Sequence, residues 1–372
     1  MSGGFRFLLA GLVVLSHLVG TPYLQHTGFY AVRAFFVLSG FVMTGAINDV
    51  YRLNGVGFWI NRFLRLVPIY LVVCLATALA IFVYPIDTAT FTPRWAFPPT
   101  TTAIVQNIIM VPLAFPDPMF RFIAPAWSVA VEIFMYFLLY VGMARSARGA
   151  ALCLIAGVTY HSYMLLVGAP FAYRYFSVTS ALLGFPIGAL IYFCRERGRL
   201  PLRADCATIA GVAWVINLFA DGTLFPKGYA EYTGYYVNIA LAACIVASLP
   251  TVKLGRLGQR LDAALGHLSY PIFIVQWFGG FIGYMLLSRT IVRGWELVFI
   301  SAPIILVLAA ALAWMQARLV EPLRGKMRNK ETPRRQIESY ERTRHSDFVA
   351  SHGAVLHREL QPSTLPHAHL EP

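Results

Sequence analysis

Apolar runs of roughly 17 to 22 residues, each long enough to cross about 30 Å of hydrocarbon at ~1.5 Å per residue, recur from residue 5 to residue 317 with only short breaks. A chain patterned in this way folds with lipid as its solvent, because a helix in a bilayer satisfies its own backbone hydrogen bonds and can present apolar side chains outward. Ten such segments are expected, at about 5–20, 28–48, 64–84, 126–143, 149–168, 174–193, 206–221, 234–250, 268–288 and 295–317. The stretch 101–114 is apolar but short and proline-ended, which reads as a re-entrant or interfacial piece of a long loop. The expected fold class is therefore an all-α integral membrane protein, with ten transmembrane helices in one bundle over residues 1–318 and a polar tail over 319–372.

Composition agrees with that reading. With 58% hydrophobic and 13% charged residues, the chain has too little polar surface to cover a water-soluble globule of its length. The first apolar run has no small-residue cleavage site behind it, so it is expected to stay as a helix. The five cysteines, Cys74, Cys153, Cys194, Cys206 and Cys244, lack metal-ligand spacing, and neither a disulfide framework nor a metal site is expected.

The net charge of +13 would suggest nucleic acid in a soluble protein, but here location decides its meaning. With the N-terminus in the cytoplasm, the inner loops and the tail hold twenty-two Lys and Arg residues. The outer segments hold six, Arg94, Arg121, Arg174, Lys227, Arg289 and Arg293. The positive-inside rule selects that orientation, with both termini cytoplasmic. The tail clusters its cations between Arg324 and Arg344 and ends rich in Pro and His, a composition expected to be disordered. It has no aromatic interleaving to support nucleic-acid binding, whereas contact with anionic headgroups fits its charge.

Two cations remain inside the spans, Arg6 and Arg33, together with His17 and Glu132. A charge at membrane depth is unfavourable by at least ~2.5 kcal/mol, so such groups pair or serve a pathway. Arg6 and His17 are eleven positions apart, which on a helix brings them within about 20° of one stripe and ~16 Å apart along the axis. Arg33 and Glu132 are counted into the same layer as His17 from the outer ends of their spans. One reading is a buried Arg33–Glu132 ion pair with His17 as an interior hydrogen-bonding residue. The other is an acid/base centre in which His17 accepts a proton while Glu132 or Arg33 orients it or stabilises charge. Depth counting does not choose between them.

The residues also carry a resemblance. Arg6 and His17, the string Phe35-Phe36-Val37-Leu38-Ser39-Gly40-Phe41, the block Arg62, Arg65, Pro68 and Tyr70, the string Trp127-Ser128-Val129 with Val131-Glu132, Leu265-Gly266-His267-Leu268-Ser269-Tyr270, and Glu321-Pro322-Leu323-Arg324 occur in this order. In this order they resemble the membrane acyltransferase 3 family, O-acetyltransferases of glycans. The resemblance implies ten helices, a cytoplasmic acyl donor that is commonly acetyl-CoA, and an envelope or secreted carbohydrate as acceptor. It makes His17 the catalytic histidine, Arg6 its basic partner and Glu132 the acidic residue of the tryptophan motif. A pantetheine arm is about as long as the ~16 Å between Arg6 and His17, so Arg6, with Arg62 and Arg65, would hold the CoA phosphates. Direct transfer would use His17 as general base and Arg33 near the developing oxyanion. Ser16, Ser39 and Ser128 are read as packing residues before nucleophiles, and Ser39 with Gly40 as a helix contact.

The chain departs from the family twice, having Arg33 where an acidic or amide residue is common and Gln276 where a histidine is common. Gln276 is expected to hydrogen-bond within the bundle. Trp95, Tyr229, Tyr232, Tyr235, Tyr236 and Trp295 are expected to form an interfacial belt, and His26, His161 and His267 to lie near interfaces without chemistry. The expected partners are the bilayer and a carbohydrate or glycolipid of the exopolysaccharide, O-antigen or lipo-chitooligosaccharide nodulation-factor type, with no nucleic acid. Acetyl is the expected acyl group, with succinyl conceivable. A transporter or flippase, or a transmembrane acyl carrier, is the alternative that intramembrane charges would also serve, but no convincing internal repeat supports it.

Overall fold

The computed structural model describes residues 2–95, 100–110, 120–198 and 204–325, without the side chains of residues 22, 23, 25 and 204. The described residues are helical and turn-linked, with no strand. The helices are α1 (Ser2–Leu18), α2 (Pro22–Gly45), α3 (Gly55–Val83), α4 (Pro85–Phe91), α5 (Thr101–Ile109), α6 (Ala126–Leu138), α7 (Ala147–Leu166), α8 (Phe171–Tyr175), α9 (Ala181–Glu196), α10 (Ala204–Leu218), α11 (Thr233–Ser248), α12 (Arg256–Leu286) and α13 (Trp295–Met315). Two compact units divide the chain, residues 1–318 and 319–372. Of the second, residues 319–325 are described, and Glu321 pairs with Arg324 there. Most of the expected basic tail lies outside the described residues.

Seven helical segments are long and apolar enough to cross a membrane: those containing α2, α3, α6, α7, α9, α11 and α13. The other three positions in the expected count of ten fall on α1 and α10, which are apolar but shorter, and on α12, whose first turns carry Arg256, Arg260 and Asp262. Large apolar side chains face outward, among them Phe82 of α3 at 74% exposure, Leu152 of α7 at 67% and Phe299 of α13 at 71%. Arg33, Gln276 and Asn238 are meanwhile buried. An apolar exterior around a polar interior is the pattern of a protein solvated by lipid.

Helix ends follow local chemistry. The side chains of Asn54, Thr100 and Ser146 accept backbone N–H groups at the starts of α3, α5 and α7. α3 begins well before residue 64 and α12 well before residue 268, because counting hydropathy stops at Arg62, Arg65 and Asp262 while an amphipathic helix does not. The expected re-entrant piece at 101–114 holds the short α5, and its residues 111–114 lie outside the described set. Asn107 knits this region together: its amide donates to the Ala103 and Phe120 carbonyls and its Oδ1 accepts from the Phe122 N–H.

α1 packs between α2 and α12, α2 packs on α9 and α11, and α12 packs on α13. Where α2 meets α9, a Cβ on Gly188 would stand 2.1 Å from the Val37 carbonyl oxygen, and one on Gly40 would stand 2.2 Å from that of Phe185. Only glycine lets the two backbones approach this closely. α1 and α12 meet through Gly3 and Gly266, and Asp262 accepts the N–H groups of Gly3 at 3.2 Å and Gly4 at 2.8 Å. A carboxylate from α12 thus caps α1 across the bundle and fixes the start of the helix that carries Arg6 and His17.

Candidate active site

Helical period decides which side chains of these packed elements face inward. On α2, Val32, Phe35, Phe36, Ser39 and Met43 form one stripe at intervals of three and four residues, and all five line a chamber. α6 adds Ser128, Glu132 and Tyr136, α12 adds Ser269, Tyr270 and Phe273, α3 adds Arg62 and Arg65, and α1 adds Arg6. A second chamber of about 390 Å³ continues along the same helices, lined by Ser16 and His17 of α1, Trp127 before Ser128 on α6, Trp277 of α12 and the loop residue Arg293. Val32 and Ser128 line both. Arg6 and His17 therefore stand on one face of α1, each in its own chamber of a common path.

In the Arg6 chamber, Glu132 accepts a hydrogen bond from Ser39 at 2.8 Å and a second, short one from the Tyr136 hydroxyl. Ser39 thus joins α2 to the acid on α6, while Gly40 makes the close contact with α9. Arg62 is buried and donates to Met43 Sδ and Asn61 Oδ1, both at 3.3 Å. The Arg6 guanidinium makes no hydrogen bond to a described residue and acts at short range on Glu132 and Tyr136. Three arginines with one acid leave this chamber electropositive.

In the His17 chamber, His17 Nδ1 lies 3.0 Å from Gln276 Oε1, and the imidazole packs on Trp277 with ring centroids 5.5 Å apart. Gln276 is fully buried, and its Nε2 donates to the Phe273 carbonyl at 2.9 Å. That second bond settles the first. A carbonyl oxygen can only accept, so the amide nitrogen must face Phe273 and Oε1 must face the histidine. His17 Nδ1 then carries the hydrogen, and the Nε2 lone pair is left on the edge of the ring that is turned away from Gln276.

A model of the acyltransferase domain of the acyltransferase 3 type matches residues 3–315. The chain belongs to the acyltransferase 3 family. It is 24% identical over 294 residues to a protein named "Putative membrane-bound transacylase BcsY" from Komagataeibacter xylinus, a match covering 74% of this chain and 71% of that one. It is 31% identical over 122 residues to acyltransferase MdmB from Streptomyces mycarofaciens, covering 32% and 30%. No solved structure matches. The protein is therefore a multi-pass membrane acyltransferase.

Within this family member, the structure brings Arg6, Glu132, Arg62 and Arg65 into one chamber and His17 into the adjoining one. It does not bring Arg33 to either. Arg33 donates to the Ser180 carbonyl at 3.1 Å, to Ser180 Oγ at 2.9 Å and to the Tyr175 carbonyl, and it stacks against Phe36 and Tyr175, each ring centroid 4.8 Å away. A shared depth leaves azimuth open, and position 33 points about 100° away from the Val32–Ser39 stripe. Arg33 and Glu132 are accordingly not paired, Arg33 binding Ser180 and Tyr175 and Glu132 binding Ser39 and Tyr136.

Gln276, Trp277, Tyr136 and Arg293 are site residues that sequence reasoning did not assign. The signal for Gln276 was its place where the family often has a histidine; for Tyr136 it was the four-residue spacing from Glu132. Of the residues expected at an interfacial belt, Trp95 and Tyr235 are fully buried, whereas Tyr232 and Trp295 are exposed. His161 is buried and hydrogen-bonded to Tyr236, and His26 pairs with Asp221 at 3.1 Å. No His, Cys, Asp and Glu grouping suited to a metal occurs among the described residues.

Proposed function

We propose that this acyltransferase moves an acetyl group from acetyl-CoA to a hydroxyl of a carbohydrate by direct attack, with His17 as general base. The observation that carries the reading is the chain from Phe273 to Gln276 to His17, which fixes the imidazole tautomer with Nε2 unprotonated. In the step, the sugar hydroxyl gives its proton to Nε2 while its oxygen attacks the thioester carbonyl. The carbon–sulfur bond breaks, and the departing CoA sulfur takes the proton from the imidazolium. The three candidate serines are turned to other partners: Ser16 Oγ donates to the Val13 carbonyl, Ser128 Oγ to that of Pro125, and Ser39 to Glu132. That favours direct transfer over an acyl-serine intermediate.

The donor enters from the Arg6 chamber, where Arg6, Arg62 and Arg65 offer cations to CoA phosphates. Glu132, held by Ser39 and Tyr136, balances Arg6 before the donor arrives and orients it afterwards. The pantetheine arm then passes Val32 and Ser128 to bring the thioester to His17. Arg33 anchors α2 to the 175–180 segment in this scheme and does not touch the reacting atoms. The excess of Lys and Arg on the Arg6 side supports a donor from the cytoplasm and an acceptor on the outer side of a bacterial inner membrane. An envelope polysaccharide or a secreted oligosaccharide, including the lipo-chitooligosaccharide type, is the acceptor class.

Mass spectrometry of glycans from cells with the wild-type protein, with His17→Ala and without the gene tests this. An acetyl-sized increment is expected only in the first. Acylation by a normally inserted His17→Ala protein would remove His17 from its role.

A further inference from the structure

Arg293 lies in the loop between α12 and α13, outside every stripe that the sequence patterning singled out. Its guanidinium carbon stands 4.8 Å from the Phe91 ring centroid and 5.0 Å from that of Trp277, the ring that also packs on His17. Among the described residues its hydrogen bonds are to backbone carbonyls, a short one to Val292 and one of 3.4 Å to Phe91. Among the described residues no carboxylate lies within ion-pair distance of it, and no other Lys, Arg, Asp or Glu lines the His17 chamber. Burial lowers it to about 10, which leaves it protonated at neutral pH. An arginine packed against two aromatic rings with two of its five N–H groups on neutral acceptors still has donors to offer.

The placement is built in. Gly20 adopts a left-handed φ of 72°, and a Cβ there would stand 2.7 Å from Cβ of Arg293. Leu18, the residue after His17, accepts the Gly294 N–H at 2.9 Å. The loop is thus clamped onto the end of α1 that carries the histidine, so the guanidinium and the imidazole are held in register.

We propose that the His17 chamber takes a carboxylate-bearing ligand, an acidic sugar acceptor or a dicarboxylic acyl group, with Arg293 as its counter-ion. The proposal rests on the acyl-transfer reading and names its substrate class. A planar carboxylate matches the guanidinium fork, and in a site with no acid of its own an anion supplies the missing charge. A neutral ligand would leave Arg293 uncompensated in an apolar setting. Arg33 lines neither chamber, its terminal nitrogens being turned to Ser180 and Tyr175, so it does not serve such a carboxylate.

The test uses the full chain in lipid nanodiscs with two matched pairs of probes: methyl glucuronide against methyl glucoside as acceptors, and succinyl-CoA against acetyl-CoA as donors. Concentration-dependent thermal protection reads binding, and release of CoA reads transfer. Wild-type protein should favour the charged member of one pair by tenfold or more, and the identity of that pair says whether acceptor or acyl group carries the carboxylate. Arg293→Gln should abolish the preference, chiefly through KM, and Arg293→Lys should keep part of it. Equal response of wild type and Arg293→Gln to the charged and neutral members of both pairs overturns the proposal. So does an Arg293→Gln protein whose kcat falls equally with neutral and acidic acceptors, since that is the mark of an oxyanion donor. Either outcome leaves the His17-dependent transfer tested by glycan mass spectrometry standing or falling by its own result.

Discussion

Gln276 does two things with one amide: it donates to the Phe273 carbonyl and accepts from His17. Replacing it by leucine removes both, freeing the imidazole to choose the wrong tautomer. Gln276→Leu should therefore lose a large part of the roughly 10²–10⁴-fold contribution of the general base, with KM for the donor unchanged. Single-turnover CoA release checks this, and an unaltered rate would show that the ring is oriented by Trp277 alone. A second residue-level outcome concerns Arg33 and Glu132, which the sequence could cast as an ion pair. Because Arg33 binds Ser180 and Tyr175 while Glu132 binds Ser39 and Tyr136, exchanging them, Arg33→Glu with Glu132→Arg, should add the damage of the two single variants. Folded yield in membranes measures it; restoration by the exchange would revive the pair. What the sequence hid here was azimuth, since depth along a span can be counted but the face of α2 that meets α6 depends on the α2–α9 contact at Gly40 and Gly188.

At the scale of elements, α1 carries the proposed base, and its start is held from α12. Burial tends to raise the Asp262 carboxyl, but the hydrogen bonds from Gly4 and Gly3 outweigh it and hold the group below its ordinary value. A carboxylate with a depressed folded value stabilises the fold at pH above its unfolded value of ~3.9, and that contribution is lost as pH falls through the folded value. The thermal midpoint of the wild type should thus drop more than that of Asp262→Asn on acidification from about pH 6 to about pH 3. Parallel curves would mean that the cap contributes nothing to stability. α1 was also the most legible element, because an arginine and a histidine eleven positions apart on one span share a face, and both line the chambers. α12 was harder: its cationic first turns masked the twelve residues 256–267 of the helix, and Gln276 is uncharged and so invisible to a search for intramembrane charge.

The molecule as a whole has a polar path inside an apolar exterior, with arginines at one end and Arg293 at the other. Ten crossings would put both termini on one side, and the twenty-two to six distribution of Lys and Arg would make that side the cytoplasm. Reporter fusions at each terminus and in the loop 287–294 should give cytoplasmic, cytoplasmic and outer signals; opposite signals from the two termini would require an odd number of spans. Fold class and family were readable from span length and ordered motifs. The second chamber was not, because Trp277 and Arg293 come together only when the α12–α13 loop folds back onto Gly20.

Transfer by the purified protein is the most direct test of the central claim. In nanodiscs with acetyl-CoA labelled in the acetyl group and a carbohydrate acceptor, label should pass to the sugar with one CoA released per acetyl transferred, and none should remain on the protein after denaturation. Label retained on a serine, or transfer undiminished in His17→Ala, would contradict direct attack with His17 as the base.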